Sequence, residues 1–102
     1  FFEWKTEDKK KMRHFIQIKD NELFAFAGIW NSWINKNTAE VVNTFSIITQ
    51  EANPFMAEIH NIKKRQPVIL NRENEAKWLS KNYDFKSIMS CSYSNQFKAE
   101  LY

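Results

Sequence analysis

The sequence has 102 residues, 43% hydrophobic and 26% charged, which specifies a globular domain or part of one and excludes a disordered chain. Fifteen basic residues against twelve acidic ones leave a net charge of +3, which permits a nucleic-acid partner without establishing one. Cys91 is the only cysteine, which excludes an internal disulfide and a zinc–thiolate cluster and suits a reducing, cytoplasmic setting.

Residues 1–5, Phe-Phe-Glu-Trp-Lys, read as the end of a strand, and the absence of a leading methionine suggests a fragment or a cleaved product. Residues 6–11 are charged and polar, as expected of a hairpin connection. Residues 12–18 are β-branched and aromatic enough for a second strand. Asp20-Asn21 is a turn signal. Residues 23–30 form an apolar run of strand length, in which Gly28 permits a bulge or a close backbone approach. Residues 31–40 read as a polar loop and residues 44–49 as another strand.

Asn53-Pro54 reads as a helix start: asparagine caps free N–H groups, and proline suits the first helical position. That helix is expected to run to about Ile59 and to deliver His60 at its end. Residues 63–66 read as a basic loop, and residues 67–70 as a strand with Pro67 first. Asn71 is expected to cap a second helix reaching about Ser80, with Glu73 and Glu75 at its start and Lys77 and Lys81 at its end. Its apolar face is assigned to Ala76, Leu79 and Trp78. Beyond Tyr83 the periodicity fades. The 16% aromatic share is high for so short a chain, so some rings are expected to be exposed for binding or shared with a missing segment. Gly28 is the only glycine, so positive-φ turns are expected to fall to asparagine.

Several side chains have chemical potential, each with an ordinary structural alternative. Glu3 is flanked by large apolar groups, whose desolvation favours an acid; the alternative is a solvent-facing strand glutamate. His60 is a candidate general acid or base, or a helix-end histidine placed by the dipole. His14 reads as structural. Trp4 can stack on a nucleobase or fill a core. Arg65 can clamp a phosphate or is a solvated loop charge, and Thr49 can donate to a phosphate or is an ordinary strand-end hydroxyl.

The ordered combination resembles the SOS-response-associated peptidase-like (SRAP) family. The matching stretches are Phe2-Glu3-Trp4-Lys5, Phe24-Ala25-Phe26-Ala27-Gly28-Ile29-Trp30 and Thr44-Phe45-Ser46-Ile47-Ile48-Thr49 with Glu51-Ala52-Asn53. They continue with Ile59-His60 and Arg65-Gln66-Pro67-Val68-Ile69-Leu70, then Trp78-Leu79. The resemblance spans residues 1–80 and makes residues 1–102 the C-terminal portion of a single domain. It implies an α+β fold with a barrel-like, mostly antiparallel sheet and short flanking helices. It implies abasic single-stranded DNA and the missing N-terminal part of the domain as partners, with no cofactor and no metal. It also implies an N-terminal cysteine that condenses with the abasic aldehyde as a thiazolidine, and removal of the protein's own leader. Glu3 and His60 take proton-transfer roles, while Trp4, Thr49 and Arg65 hold DNA.

The chain departs from the family pattern in three places. The cysteine nucleophile and an upstream asparagine are absent, Gln66 replaces a frequent methionine, and Ile62-Lys63-Lys64 lengthens the loop before Arg65. Cys91 is too late in the chain to be a terminal nucleophile, so this polypeptide alone is expected to lack crosslinking activity. Two other classes of function remain open. One is a non-catalytic single-strand binding module, and the other a Glu/His hydrolase acting on peptides.

Overall fold

Asp8 and Lys9 adopt φ of 48° and 64°, consecutive left-handed residues that make a two-residue hairpin turn. They join β1 (Phe2–Glu7) to β2 (Lys10–Ile18) in the computed structural model, which describes residues 1–19, 23–80, 84–90 and 96–102. The ladder continues through Thr6↔Lys11 and Glu7↔Lys10, so residues expected to form a loose connection belong to the strands. The turn read at Asp20-Asn21, the helix-end Lys81 and Cys91 lie outside the described residues.

β9 (Phe97–Leu101) pairs with β2 and completes an antiparallel sheet of order β1-β2-β9. Ile16, Ile18 and Phe97 are buried from this sheet. Met56 and Ile59 of α1 (Pro54–Ile59) complete the cluster with Ile69. The helix forms for the reason its sequence gives: Asn53 Oδ1 accepts from the Met56 N–H at 2.8 Å, and Pro54 needs no donor at the first helical position.

Three extended segments interlock beside this sheet. The first holds β3 (Ala25–Phe26) and β4 (Gly28–Ile34), the second β5 (Val41–Ile47) and β6 (Thr49–Glu51), and the third β7 (Arg65–Pro67) and β8 (Ile69–Leu70). Each segment breaks at a single residue and changes partner there: β3 pairs with β8, β4 with β5, and β6 with β7, all antiparallel. The three break residues bond in a cycle. Ala27 N–H donates to Val68 O (2.8 Å), Val68 N–H to Ile48 O (2.9 Å), and Ile48 N–H to Ala27 O (2.9 Å).

Several sequence expectations are therefore corrected. The polar stretch 31–40 is not all loop, because β4 runs to Ile34 and hydrogen-bonded pairing, not side-chain polarity, decides its backbone. Ser32 Oγ bonds Asn43 Oδ1 at 2.7 Å across the strands. The strand expected at 44–49 starts at Val41 and breaks at Ile48. Arg65 and Gln66 are strand, and Pro67 ends β7. Among the described residues, positive φ falls on Asp8, Lys9, Ala39 and Lys64, none of them asparagine. Gly28 does mark a close approach, since a Cβ there would sit 3.1 Å from Ser46 O.

Asn71 caps α2 (Arg72–Leu79), its Oδ1 accepting from the Asn74 N–H at 2.9 Å. The inward face is Asn74 and Trp78, an i, i+4 pair, while Leu79 is 86% exposed and Ala76 is also exposed. Trp78 wins because its indole N–H donates to Gly28 O at 2.9 Å. With Ile88 of α3 (Phe85–Ser90) it packs on Ala27, Val68 and Leu70 at the break-residue cycle.

The fold is α+β with mostly antiparallel sheets, as expected. The closed barrel is not found: the described strands form four separate sheets, one of three strands and three of two, and β1 remains an edge. The β4–β5 hairpin projects apolar side chains, with Trp30 76% and Phe45 79% exposed. The Cα radius of gyration, 16.4 Å, exceeds the value of about 13 Å typical of a compact domain of this length.

Replacing Lys9 by glycine removes the side-chain penalty of a left-handed residue and should stabilise the fold by about 1 kcal/mol. Urea denaturation measures this, and an unchanged or lowered midpoint contradicts the turn geometry.

Candidate active site

β1 is the edge strand of its sheet, so its outward backbone groups need partners. Asn61 supplies them at Thr6. Its Nδ2 donates to Thr6 O at 2.7 Å, and its Oδ1 accepts from the Thr6 N–H at 3.0 Å. One side-chain amide thus imitates a neighbouring strand. It ties the turn after α1 to the strand that carries Glu3 and Trp4.

His60 caps α1, its N–H donating to Met56 O at 2.8 Å. The chain then reverses at Lys64, whose φ is 52° and whose N–H donates to His60 O at 2.8 Å. Gln66, only 3% exposed, accepts from the Asn53 N–H through Oε1 at 2.8 Å and so braces the start of the same helix. This glutamine thus acts as a polar brace.

These ties create an open cleft of about 450 Å³. Glu3, Trp4 and Thr6 line it from β1, Lys11 from β2, and His60, Ile62 and Lys63 from the turn. Glu3 and His60, both half-buried, therefore share one cavity with Trp4, although far apart in sequence. His14 lies opposite Glu3 in the ladder, its Nδ1 3.2 Å from Met12 O.

The His60 ring is held by the backbone of one residue. Its Nδ1 lies 2.8 Å from Arg65 O and 3.1 Å from Arg65 N. With the proton on Nδ1, the ring donates to the carbonyl and leaves Nε2 as an acceptor. With the proton on Nε2, Nδ1 accepts from the Arg65 N–H. Arg65 thus offers a partner to either neutral tautomer, which suits a ring that gives and takes protons.

Lys5 lies on the same strand, its Nζ 2.8 Å from Glu7 Oε1. The hydrogen bond and charge of Glu7, with a smaller contribution from Glu58, raise its pKa above the ordinary lysine value. It is held as an ammonium and is a poor nucleophile towards a carbonyl.

Thr49 and Arg65 are brought to each other, outside the residues lining the cleft. Arg65 Nη2 donates to Thr49 O at 3.0 Å and to Thr49 Oγ1 at 3.3 Å, and both residues are exposed on β6–β7. The sequence reading placed none of Asn61, Lys11, Lys63, Ile62 and Gln66 among its site residues. The lysines belong to runs that resemble solvated loops, and no local pattern marks Asn61 as a strand mimic.

Comparison with known proteins places the chain in a family. The family model described as SOS response associated peptidase (SRAP) matches residues 1–101. Abasic site processing protein YoqW of Bacillus subtilis is 44% identical over 86 residues, covering 82% of this chain and 37% of that protein. Abasic site processing protein YedK of Escherichia coli is 28% identical over 102 residues, covering 95% of this chain and 44% of that protein. A crystal structure from Bacteroides thetaiotaomicron aligns with a TM-score of 0.88 at 36% identity, covering 99% of this chain and 45% of that one. The chain therefore spans less than half the length of these relatives.

Replacing Asn61 by alanine removes both bonds to Thr6. It should cost about 1–2 kcal/mol and expose the Thr6 amide to exchange. Hydrogen exchange at that amide, compared with the parent, is the measurement, and unchanged protection excludes the clamp.

Proposed function

This chain belongs to the SOS response associated peptidase (SRAP) family, and from that premise we propose that it forms part of a protein that processes abasic sites in single-stranded DNA. The observation that carries the reading is the single cleft shared by Glu3, His60 and Trp4. The names of the relatives, abasic site processing proteins, supply the substrate class.

In this reading the nucleophile is an N-terminal cysteine outside these 102 residues, carried by the remainder of the domain. A ring-opened abasic sugar presents an aldehyde. The neutral amine adds to it, and the carbinolamine loses water to give an imine. The thiol then adds to the imine carbon and closes a thiazolidine, with one water released overall. A terminal amine suits the first step because its pKa lies nearer neutrality than that of lysine.

Each step moves a proton: off the attacking amine, onto the departing hydroxyl, off the thiol. Glu3 and His60 perform these transfers in sugar-ring opening, imine formation and reversal. The Arg65 backbone supports His60 in both neutral tautomers, so the ring can reset between steps without turning over. Trp4 stacks on a neighbouring base, and Arg65, oriented by Thr49, contacts the sugar–phosphate chain with its remaining donors. The same acid–base pair serves removal of the protein's own leader in the SOS response. The protein acts where DNA is, in the cytoplasm or, in a eukaryote, the nucleus.

The full-length protein should form an adduct with abasic single-stranded DNA that survives denaturing electrophoresis. Glu3→Gln and His60→Asn should each slow its formation about 100-fold or more while DNA affinity is retained. Binding without any adduct would instead indicate a non-covalent module and overturn the reading.

A further inference from the structure

We propose that Lys11 and Lys63 form a phosphate-holding subsite at the mouth of the Glu3–His60 cleft. Its ligand is the backbone of single-stranded DNA on either side of the nucleotide that enters. The inference rests on the nucleic-acid reading above and deepens it, naming what carries the charge of the substrate.

Two basic runs, residues 9–11 and 63–65, lie more than fifty positions apart, and each sends one lysine into the lining of the same cavity. The placement of Lys63 is built into the backbone. On one side Asn61 is clamped to Thr6 by two hydrogen bonds. On the other, Lys64 turns with φ of 52°, donates to His60 O, and accepts from the Ala52 N–H at 2.9 Å. Lys63 is carried on the turn between these two anchors, which brings a cation to the lining of the cavity. Lys11 is placed as firmly, through its ladder position opposite Thr6.

Both ammonium groups are exposed, and neither has an ion-pair partner among the described residues. Lys5 is different: Glu7 neutralises it. Arg65 uses one guanidinium nitrogen on Thr49. The cavity also contains the Glu3 carboxylate, which would repel a polyanion. Two unpaired cations in the same lining offset that repulsion and leave the carboxylate free for proton transfer. A lysine ammonium, a compact point charge on a flexible stem, suits phosphates whose positions shift as a strand slides into register.

The test uses the full-length protein and single-stranded DNA carrying a tetrahydrofuran abasic analogue, which has no aldehyde and cannot crosslink. Fluorescence anisotropy across a salt titration gives the slope of log Kd against log salt concentration. Lys11→Gln and Lys63→Gln should each flatten that slope by about 0.7, and the double variant by about twice as much, one increment for each phosphate left without its cation. Lys11→Arg and Lys63→Arg should restore it. Lys36→Gln, in the β4–β5 turn, makes the same change in net charge and should leave the slope as it was. Unchanged slopes in the cleft variants, or an equal flattening in Lys36→Gln, overturn the subsite. The covalent reading is judged separately, by adduct formation on natural abasic DNA. Its failure leaves the slope measurement intact, and unchanged slopes leave the covalent reading intact.

Discussion

Three backbone hydrogen bonds organise the greater part of this structure. Ala27, Ile48 and Val68 bond to one another in a ring, and each is the residue at which its segment leaves one strand partner for another. Buried backbone groups must be satisfied, and an ordinary ladder cannot satisfy them where three strands diverge. The ring does so with three consecutive bonds and no side chain. Its members are small or β-branched, and Ala27 and Val68 are completely buried. Trp78 and Ile88 close over them, so α2 and α3 depend on the same point. The β6–β7 pair that holds Thr49 against Arg65 also emerges from it.

The cleft depends on a second constraint that acts on the first. β7 leaves the ring and brings the Arg65 backbone to His60 Nδ1 at the end of α1, while Gln66 braces the start of α1 at Asn53. That fixes where α1 ends. Asn61 then fixes what the end of α1 faces, by completing the exposed edge of β1. The acid and the imidazole line one cleft because an unpaired strand edge requires partners and an asparagine two residues past the helix end provides them.

Features with a local cause are legible in the sequence. The first helix is legible to the residue, because Asn53 and Pro54 act within one turn, and its delivery of His60 follows directly. The convergence of Glu3 and His60 is legible only through the family resemblance, since nothing local links a strand end to a distant helix cap. The strands expected at residues 23–30 and 44–49 fall short of the full extent of β4 and β5 because Asn31, Ser32 and Asn43 look like loop residues. Their backbones are committed by cross-strand pairing that no composition rule encodes. The face of α2 escapes for a similar reason: one indole hydrogen bond to Gly28 turns Trp78 inward and leaves Leu79 outside. Asn61 is invisible because a strand mimic is defined by what it meets.

The β4–β5 hairpin brings these arguments together. An isolated two-stranded hairpin is marginal in water, and this one shows Trp30, Phe45, Ile34 and Val41 on one face and Ile29 and Trp33 on the other. It is anchored at one end, where Gly28 abuts Ser46 and its carbonyl receives the Trp78 indole. The same segment is matched within the Bacteroides thetaiotaomicron chain, of which this one covers 45%. An apolar arm held rigidly at its root and bare along its length is a surface prepared for burial. That supports the proposal that further chain of the same domain packs there. The ring of Ala27, Ile48 and Val68 would then join the β6–β7 side of the molecule, where Arg65 meets Thr49 and His60, to the side that receives the remainder of the fold.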